Sequence, residues 1–196
     1  MFNFMKKFPI ILDLETKYTF RDFDDPKKLE VSVVVIYDYN QNKFLSFLEK
    51  DINKLFYFLE NASYIIGFNI KEFDLMVLQR YYPGKVENLS VFDLLEDIKR
   101  LIGKRLALND LLMATLNKKK TGHGLEAIEY FKNKEWEKLV KYCLDDVSLT
   151  KELFEYGAKN KEVYCLNEKG KVKIKVDWEK YLINNNNSNI PLTLPF

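Results

Sequence analysis

Ile10-Ile11-Leu12-Asp13-Leu14-Glu15-Thr16 decides more about this chain than any other stretch. Its branched apolar residues predict a strand. Successive strand side chains alternate faces, so Asp13 and Glu15 project together while Leu12 and Leu14 enter a core on the other side. Carboxylates gathered at one point repel unless a cation neutralises them, so Asp-x-Glu on a strand is a bracket for a metal. Such triplets also arise by chance, and the weight comes from two further acidic elements downstream. One is Asn69-Ile70-Lys71-Glu72-Phe73-Asp74 and the other is Tyr142-Cys143-Leu144-Asp145-Asp146. A cage made of oxygen ligands points to Mg²⁺ or Mn²⁺ and to chemistry on a phosphate.

Outward from the first strand, Val31 to Tyr39 and Phe44 to Leu48 predict two more strands separated by the polar turn Asn40-Gln41-Asn42-Lys43, an antiparallel meander. Ile52 to Leu59 has helical spacing, Tyr64 to Phe68 is a short apolar strand, and Phe73 to Tyr82 predicts a helix stopped by Pro83-Gly84. Val91-Phe92 predicts a fifth strand, followed by helices from Asp93 to about Leu101 and near Leu108 to Leu116. In Asp93-Leu94-Leu95-Glu96 the aspartate is expected to cap a helix rather than to ligate metal. A basic loop follows, Lys118 to Gly124, then a long helix expected to start at Asn133 as N-cap and to end at Gly157 as C′ residue.

On that helix Trp136, Leu139, Val140, Cys143, Val147, Thr150 and Phe154 share one face. Tyr142 and Asp146, four residues apart, are neighbours at the stripe's edge, and Asp145 faces water. Glu162 to Leu166 and Lys171 to Val176 predict a hairpin turned at Asn167-Glu168-Lys169-Gly170. The fold class is therefore α/β: a mixed five-stranded sheet, a meander followed by parallel strands, flanked by helices, with a small C-terminal hairpin. Residues 1–160 are expected to form the main domain, 161–183 the appended hairpin, and 184–196 a flexible tail.

The chain has 196 residues, enough for one substantial core. Its 47% apolar content is that of a globular protein, and no apolar run approaches the roughly 20 residues of a membrane helix. A net charge of +2 announces no polyanion partner by itself. Cys143 and Cys165 are far apart and form no Cys-x-x-Cys pair, and the N-terminus lacks a signal peptide's apolar segment, so a cytoplasmic location is expected.

The acidic elements, in this order, resemble the DEDD superfamily of 3′–5′ exonucleases, which have a ribonuclease H-like fold. Asp13 and Glu15 match its first element, Asn69, Phe73 and Asp74 its second, and Tyr142 with Asp146 its third. Another version of the third element has histidine one place before the tyrosine, where this chain has Lys141, so the resemblance is to the tyrosine subclass, as in proofreading domains of family B DNA polymerases. It covers about Ile10 to Gly157. It implies two divalent cations, Mg²⁺ or Mn²⁺, about 4 Å apart, held by Asp13, Glu15, Asp74 and Asp146. It further implies that Tyr142 orients the attacking water, and that the Leu14 backbone, Thr16, Asn69 and Phe73 meet the 3′ end of single-stranded DNA or RNA. A polymerase or helicase partner is left open, and no membrane partner is expected.

Several features keep two readings. Phe73 is a substrate contact or plain core. The Lys118-Lys119-Lys120 run, with His123 behind it, closes over phosphates or is solvated surface. Lys169, Lys171, Lys173 and Lys175 track a nucleic-acid backbone or protect an edge strand. An endonuclease with the same cage, or a non-catalytic nucleic-acid-binding module, competes with the exonuclease.

Overall fold

Every residue of Val31–Asp38 is buried, which makes this run the strand on which the two sides of the molecule meet. The computed structural model describes residues 7–120, 122, 124–168 and 170–182; His123, Lys169 and the end 184–196 lie outside them. Strand β1 (Ile10–Thr16) pairs antiparallel with β2 (Val31–Asp38), and β2 with β3 (Lys43–Leu48). The intervening turn uses Asn42 in the left-handed region, where the Tyr37 hydroxyl meets its side chain. Strand β4 (Ile65–Gly67) lies parallel to β1 and β5 (Val91–Asp93) parallel to β4, so the sheet order is β3-β2-β1-β4-β5. This is the mixed sheet expected for a ribonuclease H-like fold.

Alternation along β1 sorts the core into two layers. Ile10, Leu12 and Leu14 pack with α1 (Asn53–Asn61) and α2 (Asp74–Leu78) on one side of the sheet. Ile11 faces α3 (Leu94–Ile102), α4 (Leu108–Leu116), α5 (Gly124–Lys132) and α6 (Trp136–Asn160) on the other. Asp13 and Glu15 share this second face but lie beyond the apolar packing, where β1 runs out from under α6. The chain beyond the sheet is tied into the same layer: β6 (Glu162–Asn167) and β7 (Gly170–Lys175) form the expected hairpin, and Val163, Cys165, Ile174 and Val176 join that core.

Three helix boundaries differ from expectation. Helix α5 was not anticipated, although Leu125, Ile128 and Phe131 stand at helical spacing; Ala127 is its one fully buried residue, with Tyr130 and Phe131 packed on the core beside it. Asn133 therefore closes α5, its N–H donating to Glu129 O, instead of capping α6, which starts at Trp136 after the left-handed Lys134. Trp136 itself is exposed, outside the buried stripe. Gly157 is not a C′ residue: α6 continues to Asn160 and stops at left-handed Lys161. The glycine is needed for space, because a Cβ there would lie 2.2 Å from Cε3 of the fully buried Trp178. That indole stacks on Phe154 and donates from Nε1 to Asp97 (2.8 Å). Helix α2 is also shorter than the predicted 73–82, giving way to tight turns in which Tyr81 and Tyr82 N–H both donate to Leu78 O. No helix of the described residues is long and apolar enough to cross a membrane.

Candidate active site

Where β1 emerges from the core, a cleft of about 420 Å³ opens between it, the loop before α2, and α6. All nine residues expected at the site line it: Asp13, Leu14, Glu15, Thr16, Asn69, Phe73, Asp74, Tyr142 and Asp146. The face alternation of β1 delivers Asp13 and Glu15, and the i, i+4 spacing on α6 delivers Tyr142 and Asp146. One carboxylate oxygen each from Asp13, Glu15 and Asp146 lies within 4.8 Å of the other two. Asp74 stands beside this trio rather than in it. Its Oδ1 accepts the N–H of Leu14 at 3.1 Å, which turns the carboxylate toward β1; the Asp13 charge acts on it, and its own charge acts on Glu15.

The electrostatics are those of acids held out of water beside one another. Burial, then Asp146, pushes the Asp13 carboxyl up to about 7, with Lys120 and the Cys143 thiol pulling it back. Burial and then Asp13 raise both Glu15 and Asp74 well above the carboxylate range. Asp146 is raised by burial against the pull of Lys120. The Tyr142 phenol is held above its ordinary value by burial first, then by Glu15 and Asp146, so it stays protonated at neutral pH. Cys143 is core, as expected: fully buried, its thiol donates to Asp13 O at 3.4 Å.

The trio fits a hard divalent ion. Its donors are all oxygen, they come from charged groups, and a cation bound at about 2.1 Å per oxygen closes their span with a small movement. Asp93 does not belong to the set: as expected it caps α3, accepting from Leu95 and Glu96 N–H.

Four expected contacts take a more specific form. The Leu14 N–H is already given to Asp74, so a nucleotide at this position does not meet a free donor there. The Thr16 hydroxyl donates to Tyr18 O at 2.7 Å, which leaves its lone pairs to the cleft. Asn69 is held in the left-handed region and its Oδ1 accepts from Arg105 at 3.2 Å. Phe73 packs on the α2 layer, and its ring also meets exposed Phe20 at 5.8 Å on the cleft rim.

Two features of the cleft were not legible residue by residue. Tyr18 and Phe20 stand exposed at its mouth, and nothing in the spacing of the loop after β1 marks them. Lys120, flagged only as part of a basic run, turns inward, its Nζ 2.5 Å from Asp146 Oδ2, whereas Lys118 pairs outward with Glu152. Behind Lys120, Gly122 lies so close to Tyr142 that a Cβ would sit 2.9 Å from its Cε2, a packing that fixes the phenol's ring. Of the hairpin lysines, Lys171 and Lys173 do not line the cleft. Lys173 pairs with Glu162 and Lys171 lies over the Tyr164 ring, which accords with protection of an edge.

A family model described as the RNase_H superfamily matches residues 10–157. No curated protein matches the chain in sequence. In three dimensions the chain is similar to the family B DNA polymerase of the hyperthermophilic archaeon Pyrobaculum calidifontis, with a TM-score of 0.59 and 18% identity over 76% of its own length. It spans 24% of that polymerase, and at this identity the likeness is one of fold.

Proposed function

The chain belongs to the RNase H superfamily, and on that basis we propose that it is a metal-dependent 3′–5′ exonuclease that hydrolyses phosphodiester bonds at the 3′ end of single-stranded nucleic acid. The observation that carries this reading is the convergence of Asp13, Glu15 and Asp146 within 4.8 Å, from a strand and a helix far apart in sequence, with Tyr142 beside them. A cluster this buried and repulsive costs stability unless cations or protons neutralise it. The ordered match of its three elements to the DEDD pattern supports the tyrosine subclass and the 3′–5′ direction.

Asp13, Glu15 and Asp146 would hold one ion, and Asp74, next to Asp13, would help to hold a second. Mg²⁺ or Mn²⁺ so held supplies charge neutralisation and Lewis acidity toward a phosphate ester and its attacking water. Tyr142 orients that water through its hydroxyl; a phenol kept protonated positions better than it deprotonates. Leu14 N–H fixes the Asp74 carboxylate, and Thr16, Asn69 and Phe73 steady the terminal nucleotide. Exposed Phe20 beside Phe73 offers a base an aromatic face at the rim.

The test is hydrolysis of end-labelled single-stranded DNA and RNA with Mg²⁺ or Mn²⁺, with and without EDTA. Shortening from the 3′ end, lost in EDTA and in Asp13→Ala and Asp146→Ala variants that keep their fold, is expected. Cleavage of circular single strands would replace the exonuclease by an endonuclease, and undiminished activity in both variants would end the metal-cleft reading.

A further inference from the structure

We propose that Lys120 is the resident counter-ion of the metal-free cleft, holding Asp146 in the place of a divalent cation and giving that place up when the cation binds. The inference rests on the metal-dependent reading of the cleft and adds a competition built into it.

Lys120 Nζ lies 2.5 Å from Asp146 Oδ2, and the partner carboxylate belongs to the trio whose oxygens converge. The Asp146 side chain is only 5% exposed, so this is not a rim ion pair; the ammonium reaches in from a side chain that is itself 31% exposed. Its charge acts on Asp13 and Glu15 as well. One monovalent group thus offsets part of the repulsion among carboxylates that would otherwise share a pocket without relief. The Lys120 backbone is anchored separately, its N–H donating to Asn109 Oδ1 at 3.0 Å, so the four-carbon side chain can swing out from a fixed root.

A divalent ion that takes the Asp146 oxygen now held by Lys120 breaks this pair. The two cations therefore oppose each other: Lys120 lowers metal affinity, and metal displaces Lys120 by the same factor. The arrangement steadies the empty cleft and sets a threshold concentration for loading it.

Mn²⁺ binding is measured by calorimetry without nucleic acid, alongside melting in EDTA. Lys120→Met is expected to bind Mn²⁺ about 10-fold tighter than wild type and to melt a few degrees lower in EDTA, the melting difference closing at saturating Mn²⁺. In the unmutated protein, acylation of Lys120 by acetic anhydride, followed by mass spectrometry, is expected to accelerate about 10-fold when Mn²⁺ is added; this readout holds even where Lys120→Met does not fold in EDTA. Mn²⁺ affinity unchanged or weaker in Lys120→Met, or Lys120 labelling indifferent to Mn²⁺, overturns the competition. If the unmutated protein takes up no Mn²⁺ at all, it is the metal-dependent reading that falls, and this inference with it.

Discussion

At the start of α3 the Asp93 carboxylate is buried and collects backbone N–H groups from Asn69 (2.9 Å), Lys71 (3.0 Å), Leu95 (2.9 Å) and Glu96. In the cleft, Asp13, Glu15, Asp74 and Asp146 face one another, with Leu14 N–H turned to Asp74 and Lys120 to Asp146. Both regions take carboxylates out of water, and they handle the charge in opposite ways. The junction satisfies one acid with four dipoles and thereby locks the β4–α2 loop to the start of α3. The cleft turns four acids toward one another around a shared space. A buried charge ringed by backbone donors serves the structure, whereas buried acids that converge on one another are the kind of lining that suits a cation.

The same substitution at each place should therefore change stability with opposite sign. Asp93→Asn sets an amide NH₂ against N–H donors that need an acceptor, and should cost about 2 kcal/mol, with Asn69, the residue on the cleft wall, loosened as a consequence. Asp13→Asn removes one of the repelling charges and should raise metal-free stability by about 1 kcal/mol or more, while weakening Mn²⁺ binding. Denaturant unfolding in EDTA measures both. Equal loss at the two positions would erase the distinction between them.

A smaller effect sharpens the contrast through pH. The cleft carboxyls have folded-state values above their unfolded ones, near 4, with Asp13 at about 7. Between these values the folded protein holds more protons than the unfolded chain, so metal-free stability is greatest on the acid side and falls as pH rises from about 5 to 8. Glu49, held low by Lys17 and Tyr81 in spite of partial burial, has the opposite dependence, but its contribution is lost only as pH drops below the ordinary glutamate range. Saturating Mn²⁺ should reverse the slope, because the ion binds the deprotonated set. Melting from pH 5 to 8, in EDTA and in Mn²⁺, checks both signs, and Asp13→Asn should flatten the EDTA curve.

How far these regions were legible in the sequence follows from the range of the forces that build them. Asp13 with Glu15, and Tyr142 with Asp146, are placed by the period of a strand and of a helix, so their sharing a side is local arithmetic. The same holds for Asp93, whose cap is written within three residues. What the periods do not contain is contact across the fold: Leu14 N–H turned to Asp74, Lys120 drawn in to Asp146, and Gly157 kept small for Trp178, which arrives 21 residues later on the far side of a hairpin. A glycine in a helical pattern reads locally as a stop, and only the indole packed on it shows why the helix passes through. Helix α5 has its own apolar spacing in Leu125, Ile128 and Phe131; what hides it is its start, Gly124 after a basic run, which offers no capping side chain to read.

Tyr142 gives the finest cut, because it stands among the four acids without being a carboxyl itself. Burial and the surrounding acids keep its phenol neutral across pH 5 to 8, so its hydroxyl adds nothing to the repulsion that the comparison turns on. Tyr142→Phe should then leave the EDTA melting curve, its pH slope and the Mn²⁺ affinity where they were. Turnover on a single-stranded oligonucleotide should fall by about 10- to 100-fold, the scale of a side chain that positions a proton-bearing reactant. A change in the pH slope would mean that the phenol shares the charge balance of the carboxylates. An unchanged rate would remove the tyrosine from the chemistry and leave it as the ring that Gly122 packs against.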